Sequence, residues 1–238
     1  MMELKKERIE IVIPIKNEMN NLYTFMSRYK NTVNFIESHI GDIRVSFVDD
    51  SDKYEEGFLE SILAFQPFEY RFLKGVGDYG GSLTWGMLRG GEYDKLIIMD
   101  IDHPINRIIN MINMLDRYDV VIGYDMNQGI TRKVTNWLCN TILGLNLNHP
   151  TCGFIGFNSY VTRLIDERNI NFKHASSKRD IVHVEWINAV KTKGLKIGEV
   201  KFNTLGTDIT HNYSVKRSIR WLWDFFLLWL KDCIGTYP

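Results

Sequence analysis

The chain has 238 residues, of which 45% are hydrophobic and 24% are charged, the balance of a folded domain with a core. This composition excludes a disordered chain, a collagen-like repeat and a protein with many membrane spans. Since 29 Lys and Arg residues balance 29 Asp and Glu residues, there is no basic excess, and we expect no nucleic-acid partner.

Short apolar runs alternate with helix-like stretches through the first half of the chain. The predicted strands cover residues 9–15, 43–48, 70–73, 96–99 and 120–123. Helical patterns run over about 17–40, from after Asp52 to about 65, and over about 82–89. This alternation favours an α/β domain in which βαβ units build a mostly parallel sheet. Ligands of such sheets bind at the carboxyl ends of the strands.

The second half predicts helices over about 131–143 and 182–193 and a strand over 197–202. Because we find neither an internal repeat nor a Pro- or Ser-rich linker, we expect residues 1–213 to form one domain. Residues 214–238 are expected to form a separate C-terminal hydrophobic helix.

That C-terminal segment is the most apolar part of the chain. Residues 221–230 (WLWDFFLLWL) are apolar at nine of ten positions, but a helix of this length is about 15 Å long, half of a ~30 Å hydrocarbon core. Lys216, Arg217 and Arg220 precede it. Basic residues next to interleaved Trp favour a helix that lies at a membrane surface, where Lys216 and Arg217 could hold a lipid phosphate. The alternatives are a helix packed on its own domain, a membrane partner subunit or a homo-oligomer, and a merely solvated basic turn.

The three cysteines and the first residues indicate the compartment. Cys139, Cys152 and Cys233 are widely spaced and form no CxxC pair, which is typical of a reducing compartment. The opening residues MMELKK lack the apolar region of a secretory signal. We therefore expect a cytoplasmic protein.

A glycine-rich turn offers one interpretation of the chemistry. Residues 75–80 spell GxGxxG before a predicted helix, and Asp100 lies twenty residues beyond Gly80. This spacing matches the dinucleotide-binding fingerprint and predicts, as a minor alternative, an NAD(P)-binding oxidoreductase. The fingerprint normally opens the first βαβ unit, however, and here it is preceded by two βα units whose strands are followed by acidic residues. A plain tight turn into a helix is the remaining interpretation.

A pair of carboxylates after the fourth predicted strand supports a different interpretation of the chemistry. Asp100 and Asp102 are two residues apart, so an extended backbone would point both side chains the same way. Mg²⁺ and Mn²⁺ prefer oxygen ligands and often take one or two protein carboxylates, with substrate phosphates and water in the other positions. The pair is therefore suited to a metal ion with a diphosphate. In the alternative interpretation, Asp102 caps the next helix, with Pro104 near its first position.

Further polar residues follow the first two strands. Asn17 and Glu18 follow the first, and Asp49 and Asp50 follow the second. Carboxylates at this edge can accept hydrogen bonds from a nucleobase and from ribose hydroxyls. Together with the pair after the fourth strand, they indicate a nucleotide-sugar site.

Eight segments in chain order resemble the family-2 glycosyltransferases with a GT-A fold, particularly the polyprenol phosphate sugar synthases. They are VIPIKNE (12–18), VDDSD (48–52), GGSLTWGM (80–87), MDIDHP (99–104), VVIG (120–123), NWLCNTILGL (136–145), TCGF (151–154) and HNYS (211–214). The resemblance implies inverting transfer of a sugar from a donor such as GDP-mannose or UDP-glucose, with Mg²⁺ or Mn²⁺. It also implies a polyprenyl (dolichyl or undecaprenyl) phosphate acceptor and a peripheral position on the cytosolic membrane face.

The same resemblance implies roles for individual residues. Asp100 and Asp102 would hold the metal–diphosphate, with His103 as a candidate third metal ligand. Arg132 or Lys133 would face phosphate of the donor or acceptor. The donor nucleotide would contact residues of the strand ends and of the glycine-led helix, namely Pro14, Asn17, Glu18, Asp49, Asp50 and Gly80.

The sequence departs from the family pattern where phosphate-binding arginines are expected. Tyr124 follows the VVIG strand, and Ile155 follows the Gly-Phe pair. The alternatives are therefore transfer to a saccharide or protein hydroxyl, and noncatalytic binding of a nucleotide sugar. A hydroxyl acceptor would need a general base, for which Asp125 and Glu185 are the candidates, although we expect Glu185 to be a solvated helix acid.

Overall fold

The computed structural model describes residues 6–17, 19–51, 69–75, 79–89, 92–168, 181–203 and 215–234. The strands in these residues are β1 (Glu7–Ile15), β2 (Gly41–Asp49), β3 (Glu69–Lys74), β4 (Lys95–Ile98), β5 (Val120–Asp125), β6 (Ile155–Asn158) and β7 (Ile197–Phe202). The helices are α1 (Met19–His39), α2 (Tyr79–Arg89), α3 (Ile108–Leu115), α4 (Ile130–Leu143), α5 (Ser159–Arg168), α6 (Val182–Thr192) and α7 (Val215–Cys233), with a 3₁₀ turn at Ile105–Arg107.

The strands form one sheet in the order β3-β2-β1-β4-β6-β5-β7. Strand β6 is antiparallel to both of its neighbours, and the other pairings are parallel. The carboxyl ends of the remaining strands therefore meet at one edge of the sheet, and β6 begins at that edge. We call it the carboxyl edge.

Strand β1 forms the centre of the core because its sequence, ERIEIVIPI, is rich in β-branched residues that suit a strand buried on both faces. It pairs with β2 from Glu7↔Gly41 to Ile15↔Asp49, and with β4 up to Val12↔Ile98. Helix α2 lies against these strands at Gly86, where a Cβ atom would be 2.7 Å from side-chain carbons of both Val12 and Val48. The absence of a side chain at Gly86 allows the helix to approach this closely.

A buried acid joins three strands on this side of the sheet. Glu10 of β1 accepts hydrogen bonds from Arg44 Nε of β2 at 2.6 Å and from Arg71 Nη2 of β3 at 3.1 Å, and from the Ser46 hydroxyl. Burial raises the pKa of Glu10, against the opposing effects of Ser46 and the two guanidinium groups. The two arginines supply the counter-charge that a buried carboxylate requires.

The predicted α/β class with a mostly parallel sheet is confirmed. The predicted strands all occur, with ends shifted by no more than two residues, but β6 and the helices α3 and α5 were not predicted. The helical pattern predicted up to about residue 65 lies outside the described residues. Among the described helices, none is both long and apolar enough to cross a membrane. The division of the chain at residue 213 stays a prediction.

Candidate metal and nucleotide site

The polar residues singled out from the sequence meet at the carboxyl edge. The backbone N–H of Asp50 donates to Ile15 O at 2.9 Å, and that of Met99 donates to Val12 O at 3.1 Å. These bonds continue the β1 ladders on both sides, so residues that follow β2 and β4 flank the end of β1. The edge thus brings Asp49 and Asp50 to one side of β1 and Asp100 to the other.

Asp100 and Asp102 are both partly exposed, as carboxylates that bind a metal ion from solution must be. Asp100 Oδ1 accepts a hydrogen bond from the Tyr79 hydroxyl at 3.0 Å, which holds one oxygen and leaves the side chain 38% exposed. Ligand atoms of Asp100, Asp102 and His103 all lie within 4.8 Å of one another. This oxygen-rich set fits a hard divalent cation such as Mg²⁺ or Mn²⁺.

The capping interpretation of Asp102 is wrong. Within the continuous described stretch 92–168, the cap positions are Pro104 for the 3₁₀ turn and Arg107 for α3, and neither has a side-chain cap hydrogen bond. Asp102 lies in the turn before them. Its carboxylate is therefore not committed to a helix terminus.

His103 is oriented by its neighbours. Its Nδ1 accepts the backbone N–H of Asp100 at 2.8 Å, and its Nε2 lies 3.9 Å from Asp100 Oδ2. The ring stacks on Phe154 with centroids 5.4 Å apart and meets the edge of Phe202 at 5.7 Å. Because Nδ1 acts as an acceptor, a neutral ring carries its proton on Nε2, facing Asp100. In this arrangement His103 orients Asp100, and it would have to give up the Asp100 N–H bond to offer a metal a lone pair.

Two aromatic side chains lie on the Gly153 side of Asp100, and sequence reasoning missed both. A Cβ atom at Gly153 would lie 3.0 Å from Asp100 Oδ2, 3.3 Å from the Tyr79 hydroxyl and 3.4 Å from His183 Cε1. His183 is buried, and its ring meets Tyr79 edge-on at 5.6 Å. Gly153 thus lets the chain before β6 pass directly beside the carboxylate. Tyr79 occupies a variable position of the GxGxxG turn and His183 matches no motif, so the sequence did not identify either as a neighbour of this site.

Asp125 lies at the end of β5 and is buried. Its Oδ1 accepts the Asn127 N–H at 3.0 Å, and its Oδ2 is 3.7 Å from Arg132 Nη1. Its own N–H donates to Nδ1 of His149 at 3.3 Å. Burial lowers the pKa of His149 to about 4, and electrostatic interactions with Arg132 and His103 act in the same direction. Because of its contact with Arg132, Asp125 is an ion-paired acid. Lys133, the other residue predicted to face phosphate, is exposed on α4.

The predicted nucleotide residues lie on the β1–β2 side of the edge. Asp49 is buried, and its Oδ1 accepts the Ser51 N–H at 2.9 Å. The Ser51 hydroxyl accepts the N–H of Asn17, whose backbone has a φ of 55°. Asp50 and Ser82 flank Gly75, since a Cβ there would be 2.7 Å from an oxygen of each. This places the first turn of α2 beside Asp50.

The remaining predicted residues divide into three groups. Gly80 is buried in the first turn of α2, and Pro14 is partly buried in β1. Glu18 lies outside the described residues. The backbone of α7 carries Lys216 and Arg217, but their side chains are outside the described part. The site roles of these residues stay predictions.

Glu185 corrects one expectation. It was expected to be a solvated helix acid, but it is only 6% exposed. The reason is that residues 182–188 of α6 are all buried, so this part of the helix has no solvated face.

The GxGxxG turn follows the edge strand β3 instead of lying in the first βαβ unit, the position that the dinucleotide fingerprint requires.

Comparisons with known proteins add the following findings. No protein-family model matches the sequence, and no curated protein matches it either. Glucosyl-3-phosphoglycerate synthase from Mycobacterium tuberculosis, in complex with uridine diphosphate, has a similar structure with a TM-score of 0.66, 13% identity, and coverage of 94% of this chain and 80% of that chain.

Two further solved structures are similar. A mannosyltransferase from Pyrobaculum calidifontis, in complex with GDP-mannose and Mn²⁺, has a TM-score of 0.60 and 13% identity, and the match covers 93% of this chain and 64% of that chain. The 4-diphosphocytidyl-2C-methyl-D-erythritol synthase from Anaerococcus prevotii has a TM-score of 0.55 and 12% identity, with coverage of 91% and 99%. These similarities confirm the predicted GT-A fold.

Proposed function

We propose that this protein is a metal-dependent, inverting glycosyltransferase that moves a sugar from a nucleoside diphosphate sugar to a polyprenyl phosphate. The observation that carries the proposal is the Asp100–Asp102 pair, partly exposed at the carboxyl edge and across the end of β1 from Asp49 and Asp50. In a GT-A fold, this combination suits a donor whose diphosphate and nucleoside bind side by side.

Asp100 and Asp102 would hold the Mg²⁺ or Mn²⁺ ion, which when bound neutralises charge on the departing diphosphate. The chain's own contribution is orientation. Tyr79 holds one oxygen of Asp100, and His103 accepts the Asp100 N–H. A carboxylate held in this way has less freedom to lose when the ligand binds.

Two features favour an anionic acceptor. A phosphate acceptor is already ionised near neutral pH and needs no general base, whereas a hydroxyl acceptor does. Asp125, the candidate base, is buried beside Arg132 with the two groups 3.7 Å apart. Arg132 is itself 41% exposed, so its cation is open to a phosphate that approaches from the β5 side. Glu185, the other candidate base, is buried within α6.

The two faces of α7 suit a peripheral position on the cytosolic membrane face. Phe225 and Leu228 are buried, and Trp221 packs against the core. Large apolar side chains beside and opposite this buried face are exposed, namely Leu222, Trp223, Phe226 and Trp229. A one-sided aromatic helix of this kind binds at the headgroup level of a bilayer. Deleting residues 214–238 would also remove core side chains, so we favour the substitution Trp223→Glu as the test, with loss of vesicle sedimentation as the expected result.

The test of activity begins with nucleotide sugars. Each is added with Mn²⁺, and a rise in melting temperature identifies the donor, because a ligand of the native state raises its stability. Turnover is then measured with polyprenyl phosphate, and the product is extracted into organic solvent. We expect Asp102→Asn to lower turnover at least about 100-fold.

The control is Asp42→Asn, which removes an exposed carboxylate at the amino end of β2, 3.6 Å from Lys6. This variant should match the wild type, since exposed ion pairs contribute little. Wild-type turnover by a folded Asp102→Asn protein would refute the metal assignment. Product that appears only in the aqueous phase would instead indicate a saccharide or protein hydroxyl acceptor. Binding of a nucleotide sugar without any turnover would indicate a noncatalytic protein.

A further inference from the structure

Helix α4 carries a stripe of large apolar side chains that face solvent. Ile130 is 83% exposed, Val134 50% and Trp137 62%. Successive residues of a helix turn by about 100°, so these three fall within an arc of about 60°. We call them the α4 stripe. Exposed side chains of this size in one row are a marker of an interaction surface.

The opposite side of α4 belongs to the site. Its buried residues are Asn136, Cys139 and Leu143. Asn136 Oδ1 accepts the hydroxyl of Thr151 at 2.7 Å, in the segment that leads to Gly153. Arg132 also projects on this side and approaches Asp125. The helix therefore has one face on the segment beside Asp100 and the other in solvent.

The charges of α4 select the kind of partner. The helix, ITRKVTNWLCNTIL, contains no acidic residue, and its two charged residues, Arg132 and Lys133, are both basic. Lys133 is exposed and is placed about 40° from the edge of the stripe by the helix period. An apolar row that includes a Trp and is flanked by a cation is complementary to an anionic bilayer surface, where the apolar groups enter and the cation meets headgroups.

The size of the stripe argues against a stable protein interface. It extends for only about 10 Å along the helix, and a specific protein–protein interface needs about 1,000 Å² of buried surface. A bilayer surface has no such minimum, because several shallow contacts add up on the same membrane. Met126, also exposed, extends the apolar surface toward the end of β5.

We propose that the α4 stripe seats on an anionic membrane surface and thereby turns the β5 end of the carboxyl edge toward the lipid. This inference deepens the proposed function and rests on it in one respect, namely that the acceptor is a lipid phosphate. Such an acceptor keeps its phosphate at the headgroup level. The stripe would place Arg132, which projects from the opposite side of α4 beside Asp125, within about one helix diameter of that level.

The test uses the full chain and sedimentation with vesicles of phosphatidylcholine, with and without phosphatidylglycerol. We expect Trp137→Glu to lower the partition coefficient onto phosphatidylglycerol vesicles at least about tenfold. The matched control is Ile142→Glu on the same helix. Ile142 is 40% exposed but about 120° from Ile130, so this variant should stay within about twofold of the wild type.

A second measurement does not depend on a folded glutamate variant. Brominated lipids quench a Trp that touches the acyl chains, and Trp137→Phe should remove part of the quenching seen in the wild type. Equal quenching in both proteins would overturn the proposal. It would also be overturned by equal losses in Trp137→Glu and Ile142→Glu, or by a wild-type dimer in solution that Trp137→Glu dissociates, which would assign the stripe to a protein partner.

Failure of the proposed function has a different signature. Wild-type turnover of a short-chain, water-soluble polyprenyl phosphate without vesicles measures the site alone. Turnover there with no effect of Trp137 on vesicle binding would reject only the stripe. Stripe-dependent vesicle binding without turnover on any nucleotide sugar would reject only the proposed function.

Discussion

The lowered pKa of His149 predicts that acid destabilises the fold through one side chain. His149 is buried in the segment that joins α4 to β6, with Nδ1 accepting the Asp125 N–H. Its pKa falls from 6.5 to about 4, chiefly through burial and also through electrostatic interactions with Arg132 and His103, although Asp125 opposes the change. The ring is therefore neutral in the folded protein at pH values where an unfolded chain would protonate it.

The size of the effect follows from the two pKa values. Between pH 6.5 and about 4, the unfolded chain binds one proton more than the folded chain, so the stability contribution is complete above pH 6.5 and is lost as the pH falls. The values differ by about 2.5, and each unit corresponds to 1.36 kcal/mol, which gives a loss of about 3 kcal/mol in strong acid. At pH 5 the same relation gives about 2 kcal/mol.

The assay is urea denaturation of the wild type and of His149→Gln at about pH 8 and about pH 5. Glutamine keeps an acceptor for the Asp125 N–H but cannot bind the extra proton. We expect the free energy of unfolding of the wild type to fall by about 2 kcal/mol more than that of the variant. The comparison at pH 8, where the histidine is neutral in both states, serves as the control. Parallel decreases in the two proteins would refute the reasoning.

Two further predictions concern buried groups. Glu10→Ala removes a buried counter-charge shared by Arg44 and Arg71, each about one quarter exposed, and should lower the free energy of unfolding by about 3 kcal/mol. A loss under about 1 kcal/mol in urea denaturation would contradict this account of Glu10. Burial raises the pKa of the Cys139 and Cys152 thiols to about 12, so a thiol reagent near neutral pH should modify only the exposed Cys233 in the folded protein and all three cysteines in urea. Rapid modification of a second thiol in the folded protein would contradict the prediction that Cys139 and Cys152 are unreactive there.

The sequence predicts the parallel part of the sheet well because local signals define it. The runs at β1, β2 and β5 are rich in β-branched residues and end in or are followed by polar residues, and parallel topology brings those ends to one edge. The acids after β2 and β4 could therefore be placed together from the amino-acid sequence alone. The aromatic side chains near Asp100 could not, because tertiary packing alone brings Tyr79 to Asp100 and His183 to Tyr79.

Strand β6 shows where local signals fail. Its four residues, IGFN, include a glycine and follow a turn, which is too short a run to predict a strand. It lies between β4 and β5 although it follows both in sequence, and it pairs antiparallel with each. Sequence order gives no sign of this insertion. Yet the insertion is what places Gly153 beside Asp100.

The same insertion divides the carboxyl edge. Strands β3, β2, β1 and β4 run parallel, and β6 interrupts that order next to β4. Asp100 and Asp102 follow β4 and therefore lie between this boundary and the end of β1, where the strand order reverses and crevices in α/β sheets form. On the proposed function, the donor nucleoside occupies the β1–β2 side and the acceptor phosphate reaches the boundary from the β5 side. Helix α4 directly follows β5, so a membrane bound by its stripe would lie on the side from which the acceptor must come.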